Sequence, residues 1–298
     1  MTLQQLRYIV MVPETGTITE AAGKLYISQP SLTNAIHELE KEMNITIFNR
    51  TNKGISVSKE GEDFLSYARQ ILEQAAILED RYKGGNGGRK QYCVSTQHYS
   101  FAVNAFVDLI KQFGQDEYDF SLRETQTYEI IEDVARLRSE IGILFINDFN
   151  EAVIRKILKS YELEFHELFK ARPHVFISRK HPLAECSVIH NEQLEEYPYL
   201  SFEQGEHNSF YFSEEILSTL DRRKNIKVRD RATLFNLVIG LDGYTVSSGV
   251  ISRKLNGANI IAVPLLVEEY MRIGTIRQKN MPLTQYGESY MKALKKYL

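Results

Sequence analysis

The chain has 298 residues, 43% of them hydrophobic and 25% charged, with a formal net charge of −3. That length exceeds a single compact core of ordinary size, and the apolar content is ample for globular folding. The slight acidic excess excludes a protein that coats nucleic acid indiscriminately. In chain order, Thr17 to Ile27 reads as a short helix with Ile18, Ala21, Ala22 and Leu25 facing inward. From Ser28 to Glu40 a second helix places Leu32, Ile36 and Leu39 on one stripe, while Gln29, Ser31, Thr33 and Asn34 fall away from it. Ser28 is a good N-cap, and Pro30 is tolerated in a first turn whose N–H groups have no helical partner. Two short helices with a close Ala-Ala approach fit a helix-turn-helix whose second member lies in the DNA major groove. On spacing alone, an ordinary helical hairpin with an amide-rich solvent face fits as well. Ile45 to Phe48 and Ile55 to Val57 then alternate like two short strands around Asn49 to Gly54, a wing that brings Arg50 and Lys53 to phosphates or the minor groove.

Met1-Thr2-Leu3-Gln4-Gln5-Leu6-Arg7-Tyr8, Thr17 to Ala22, Ser28-Gln29-Pro30-Ser31-Leu32-Thr33, Leu39-Glu40, Ile47-Phe48-Asn49-Arg50 and Ser58-Lys59-Glu60-Gly61 follow in the order of a known signature. This run resembles the N-terminus of the LysR-type transcriptional regulators. Three positions depart from the pattern: Pro13 inside the first helix, Ile18 for the usual Phe, and Asn44 for the usual Gly after the second short helix. The expected DNA contacts are Ser28, Gln29, Pro30, Ser31, Thr33, Asn34, Arg50 and Lys53, with Gln29 suited to a bidentate contact to adenine and the two cations to the backbone. Residues 1–60 carry six basic and six acidic side chains, so non-specific affinity is expected to be modest and salt-sensitive.

Ser58 caps a long helix in which Phe64, Ala68, Ile71, Ala75, Leu78 and Tyr82 recur at intervals of four and three. Such a heptad seam predicts a two-helix dimer contact. The helix runs into Gly84-Gly85-Asn86-Gly87-Gly88, which has linker chemistry. The domain boundaries expected are therefore 1–58 for the winged module, 59–88 for the linker helix and hinge, and 89–298 for the remainder. Two reading heads in one dimer predict an approximately palindromic operator.

Beyond the hinge, strands and helices alternate: Tyr92 to Ser95, Phe101 to Phe113, Tyr118 to Leu122, Glu129 to Leu137, and Ile141 to Ile146. A second set follows, with strands at Val175, Tyr199, Lys227 and Ile260, helices near Ser213 to Leu220 and Leu234 to Leu241, a strand Tyr270 to Ile276 and a closing helix Gln285 to Tyr297. The alternation predicts mostly parallel sheets covered by helices. Glu167-Leu168-Phe169, His181-Pro182-Leu183 and Val238-Ile239-Gly240-Leu241 resemble the effector half of the same family. The implied fold is α/β: a helix-rich winged helix-turn-helix, a linker helix, then a two-lobed, periplasmic-binding-protein-like (type II) effector domain. Lobe I is expected at about 89–160 and 268–298, lobe II at about 161–267.

Ligands of open α/β lobes sit beyond the carboxyl ends of strands. That rule selects Thr96, Gln97, Ser100, Gln126, Thr127 and Asn147 in one lobe and Ser201, Phe202 and Thr245 in the other. Their hydroxyls and amides suit a carboxylate or another polar group without a built-in charge. Thr127 is equally a natural N-cap and Ser201 a strand residue. His98 and Tyr99 share the first loop and are also placed to line the cleft, although a lone His there is more often a hydrogen-bonded surface group than a switch.

No nucleotide-binding glycine fingerprint, G-x-S-x-G elbow, HExxH or Cys/His/acid constellation occurs, so neither catalytic residues nor a metal or cofactor is expected. Cys93 and Cys186 lack zinc or disulfide-framework spacing and read as buried, reduced thiols rather than as a redox pair. No apolar run spans a bilayer and no signal peptide is evident, which predicts a cytoplasmic location. The resemblance implies double-stranded operator DNA, a small-molecule effector, a homodimer, a tetramer built as a dimer of dimers, and contact with RNA polymerase. The alternative is a cytoplasmic solute sensor whose N-terminal module mediates protein contact.

Overall fold

The computed structural model describes residues 1–51, 54–83, 90–114, 117–251 and 257–297. The chain divides into two compact units, Met1–Gly88 and Arg89–Leu298. Among the described residues no helix is long and apolar enough to cross a membrane.

The first unit opens with α1 (Leu3–Thr15), started by a reciprocal cap in which Gln5 N–H donates to Thr2 Oγ1 (3.1 Å) and Thr2 N–H to Gln5 Oε1 (2.9 Å). Pro13 sits in the last turn of α1, and Gly16, at φ 82°, ends the helix in the left-handed conformation. Helix α2 is shorter than its sequence pattern, Ile18–Lys24, and α3 runs Gln29–Met43. Asn44 closes α3 at φ 54°; asparagine is among the few residues that tolerate this region, which explains how it stands in for glycine. Strands β1 (Phe48–Thr51) and β2 (Gly54–Val57) pair antiparallel as the wing. Glu40 holds the entry to the wing, its Oε1 accepting from Ile47 N–H (2.7 Å) and Phe48 N–H (3.0 Å).

Helix α4 (Lys59–Lys83) starts on Ser58, whose Oγ accepts from Gly61 N–H at 2.8 Å. A Cβ at Gly61 would lie 2.2 Å from the Ile47 carbonyl oxygen, so the glycine of the Ser-Lys-Glu-Gly motif is a packing requirement. The expected seam is divided. Ala68 is buried and Phe64 half-buried in the core of the unit, with Leu6, Ile9, Val12, Leu32, Leu39 and Leu65. Ile71 and Leu78 are exposed, and Tyr67 joins them. The helix therefore presents one face to its own domain and a second, offset by one position, to solvent. The Tyr82 side chain and the Gly84–Gly88 hinge lie outside the described residues, as does Lys53.

In the second unit, β3 (Lys90–Thr96), β4 (Tyr118–Glu124), β5 (Ile141–Ile146), β6 (Leu163–Ala171) and β12 (Met271–Gln278) form one sheet in the order β4-β3-β5-β12-β6. Pairs β3/β4 and β3/β5 are parallel, but β12 runs antiparallel to both β5 and β6. The sheet is mixed rather than mostly parallel, because the returning chain wedges between two strands that already point the same way. It also extends through β6, past the residue near 160 where the crossing to the other lobe was expected. Helices α5 (Ser100–Phe113), α6 (Thr127–Ala135) and α7 (Glu151–Ser160) belong to this lobe, with the closing helix Gln285–Leu294 packed on α5.

The other lobe holds β7 (His174–Ser178) flanked antiparallel by β10 (Thr245–Ser247) and β11 (Ile260–Pro264), the parallel pair β8 (Tyr199–Phe202) and β9 (Asn225–Val228), and α8 (Arg231–Gly240). The expected helix near 213–220 is a run of bends and turns instead. Leu217 takes φ 56° there, which no continuing helix permits. This segment is a strap that leaves β8 and lies on the first lobe: Phe212 is buried in that lobe's core with Ile131 and Ile154.

Candidate functional site

Two surfaces carry chemistry. On the first, Ser28 accepts from Ser31 N–H (3.2 Å), and the two hydroxyls lie 2.7 Å apart, so α3 starts with its polar side chains already oriented. Gln29, Pro30, Ser31 and Asn34 are exposed and Thr33 is half-buried, while Leu32, Ile36 and Leu39 are fully inside. One further residue belongs to this surface. Tyr26, between α2 and α3, holds φ 55° and is 95% exposed. A bulky residue in that conformation is uncommon, and an aromatic ring in solvent beside a reading helix is a ready contact. Its Cα conformation has no sequence signature, so pattern reading assigned it to the preceding helix. Arg50 lies in β1, with its side chain outside the described residues.

The second is the cleft between the lobes of the larger unit. The side chain of His98, read from the sequence as a surface or cleft-lining group, is buried against the strap: Nδ1 lies 2.9 Å from Glu214 Oε2, and the His98 N–H donates to the same oxygen at 3.0 Å. Its ring stacks on Phe202 at 3.8 Å and 5°. Burial works against a charge on His98, but Glu214 overcomes it and leaves the pKa above the ordinary value. Thr127 N–H donates to Gln204 Oε1 (3.0 Å), and Arg231 meets Glu124 at 3.0 Å. A Cβ at Gly205, at φ 55°, would come within 2.5 Å of Gln126 Oε1, so the strap backbone lies against that side chain. These contacts tie lobe to lobe.

The expected effector residues separate into groups. Phe202 and Thr245 line a cavity of about 30 Å³ with His98, Tyr99, Glu215 and Arg231. Asn147 lines a second, of about 50 Å³, with Phe149, Phe210, Glu215 and Glu269. Gln97 is fully buried in lobe I, where its Nε2 donates to Thr127 Oγ1 (2.6 Å) and its Oε1 accepts from Tyr99 and from Phe145 N–H. Thr96 is likewise enclosed, and its hydroxyl donates to the Gln97 carbonyl. Ser100 and Ser201 are buried at the end of lobe I's first loop and in β8. Gln126 takes the N-cap position of α6 that Thr127 was suited to, without a side-chain cap.

Charge is built into the cleft, contrary to the expectation from hydroxyls and amides alone. Glu215 is 4% exposed, its Oε1 accepts from Phe202 N–H (2.9 Å), and it lines both cavities. Burial, and then the neighbouring Glu214, push its pKa up to about 8. Burial also raises Glu124, against the pull of Arg231. Glu214 and Glu215 were missed because they lie on a segment read as helix, and the pairing of His98 with Glu214 because the two are 116 residues apart.

Comparison with known proteins places both units. Residues 3–62 match the family model described as "Bacterial regulatory helix-turn-helix protein, lysR family", and residues 93–298 match "LysR substrate binding domain". The chain is 25% identical over 302 residues to a probable RuBisCO transcriptional regulator of Phaeodactylum tricornutum, covering 97% of this chain and 92% of that one. It is 26% identical over 233 residues to the HTH-type transcriptional regulator ClcR of Pseudomonas putida, covering 78% and 74% of the two chains. In fold it resembles a full-length OxyR variant from Pseudomonas aeruginosa, with a TM-score of 0.70 at 19% identity, over 99% of this chain and 95% of that one.

Proposed function

The chain belongs to the LysR family of DNA-binding transcriptional regulators, and on that premise we propose that α3 reads an approximately palindromic operator while the inter-lobe cleft senses a small molecule. The carrying observation is the start of α3, where Gln29, Ser31 and Asn34 stand exposed over a closed apolar core. Gln29 and Thr33 contact base edges, Ser28, Pro30, Ser31 and Asn34 fit the groove, and Arg50 and Lys53 meet backbone phosphates. The exposed stripe of Tyr67, Ile71 and Leu78 supports pairing of α4 with a second copy, with Ala75 beside it. Dimers then associate through their effector domains into a tetramer that acts in the cytoplasm and contacts RNA polymerase. Ligand acts by favouring one arrangement of the lobes, which the His98–Glu214 and Arg231–Glu124 pairs hold in place without it.

A solute sensor that uses its N-terminal module only for protein contact is not favoured, since the family match includes the DNA-reading module. The test is a mobility-shift titration of the full chain on DNA from upstream of its own gene. Gln29→Ala with Thr33→Ala is expected to lose about 1–3 kcal/mol of specific binding per base contact, with the circular dichroism spectrum unchanged. Equal binding by the folded double variant would overturn the reading.

A further inference from the structure

We propose that the effector is an organic cation, an ammonium or guanidinium compound, whose charged head sits on Glu215 in the cavity shared by Asn147, Phe149, Phe210 and Glu269. This rests on the reading of the larger unit as an effector domain and names the chemical class it takes. Three observations carry it.

The first is charge. Among the described residues no Lys, Arg or His lines this cavity, whereas Glu215 and Glu269 both do. Asn147 Nδ2 donates to Glu269 Oε2 (3.2 Å), which leaves the other oxygen of that carboxylate to face a ligand. A carboxylate ligand would enter against two carboxyl groups with no cation on the wall to offset them.

The second is the state of Glu215 itself. It is nine-tenths buried and more, and among the described residues it stands in no ion pair, although Glu214 next to it has His98 and Glu124 has Arg231. A buried carboxyl without a cation keeps its proton near neutrality, which agrees with its pKa of about 8. A bound cation takes the place of that proton. The charged and titratable groups that face Glu215 across the two cavities are Glu214, His98, Arg231, Tyr99 and Glu269, and of the cations among them only His98 and Arg231 are present, each already paired.

The third is the aromatic wall. Phe149 and Phe210 line the cavity, and Phe149 stacks on Tyr211 at 4.7 Å and 13°. Phe210 is 59% exposed, an apolar ring left in solvent at the mouth. Aromatic faces beside a carboxylate are the chemistry that recognises organic cations. A metal ion is the poorer fit, since among the described residues no group of three or more His, Cys, Asp and Glu is placed to hold one.

The test is calorimetric titration of the full-length protein with n-butylamine, putrescine and agmatine, against butyrate and benzoate, at pH 6, 7 and 8. A cation is expected to bind saturably and to release about one proton at pH 7, with affinity falling by up to about a hundredfold from pH 8 to pH 6. Glu215→Gln, which keeps an oxygen for the Phe202 N–H, is expected to weaken binding about tenfold or more and to abolish the proton release. Phe210→Leu, at an exposed position, is expected to weaken it severalfold with melting unchanged. Binding of butyrate or benzoate instead would overturn the cation assignment while leaving the effector reading intact. Equal cation binding by Glu215→Gln without proton release, or no binding by any of the five probes, would also overturn it, whereas the operator titration decides the regulator reading separately.

Discussion

In the first unit the residues proposed to touch DNA, Gln29, Ser31 and Asn34, stand in solvent on a helix whose opposite face is core. In the second, the side chains of His98, Glu214 and Glu215 are buried between two lobes, and Glu214 shifts the charge state of both His98 and Glu215. The difference follows from the partners. Duplex DNA comes to a protein as a large polar surface, so reading groups can be exposed, neutral and short. A small ligand must be enclosed to be recognised, and enclosure makes every polar group expensive unless it is paired. On the proposed reading the first unit therefore separates stability from function on opposite faces of α3, while the second uses the same side chains for both.

Removing one member of the buried pair breaks this comparison most severely. His98→Ala leaves Glu214 buried with, among the described residues, only Gln204 and the backbone N–H of position 98 as hydrogen-bond donors. Loss of one partner of a buried ion pair typically costs about 3–5 kcal/mol. Differential scanning calorimetry should show the larger unit melting well below the wild type while the transition of the DNA-reading unit stays in place. Equal melting of both would mean the pair holds nothing.

A smaller effect comes from pH. In the folded protein His98 and Glu215 both hold protons more tightly than in the unfolded chain, since both pKa values are raised. The folded state therefore binds more protons, and stability must fall as pH rises from about 6 to 8. For one group the slope is at most about 1.4 kcal/mol per pH unit. Melting temperature measured across that range should decline, and Glu215→Gln should flatten the decline; a rise with pH would contradict the burial of both groups in their protonated forms.

What was legible in the sequence follows the same division. The caps at Ser28 and Ser58, the stripe Leu32-Ile36-Leu39 and the wing depend on residues a few positions apart, and each appears where its spacing predicts. Gly61 was visible as a motif letter, but its reason, the Ile47 carbonyl, needed the fold. The heptad seam of α4 was half legible: periodicity located the apolar positions but could not say that Ala68 faces its own domain while Ile71 and Leu78 face outward. In the larger unit most strands were found, but β6 and β10 were not, and neither was the pairing, because β12 inserts beside β5 from more than a hundred residues away. The strap was misread as helix for a related reason. Glu214 and Phe212 are held by lobe I, and such contacts override a local helical pattern.

The smallest expected effect is on the wing. Residues 1–60 are formally neutral, so attraction to DNA in general is weak and each well-placed cation carries a visible share of it. Arg50, in β1, is the position to remove. Arg50→Ala should weaken binding to operator and to unrelated DNA by the same factor and reduce the salt dependence of log K by about one unit of slope. Mobility shifts at several salt concentrations on both DNAs measure this directly. A loss confined to the operator would move Arg50 from the phosphates to a base edge and make the wing a second reading element. A uniform loss would leave discrimination with the uncharged side chains of α3, which is the property that separates this exposed surface from the charged, enclosed cleft of the other unit.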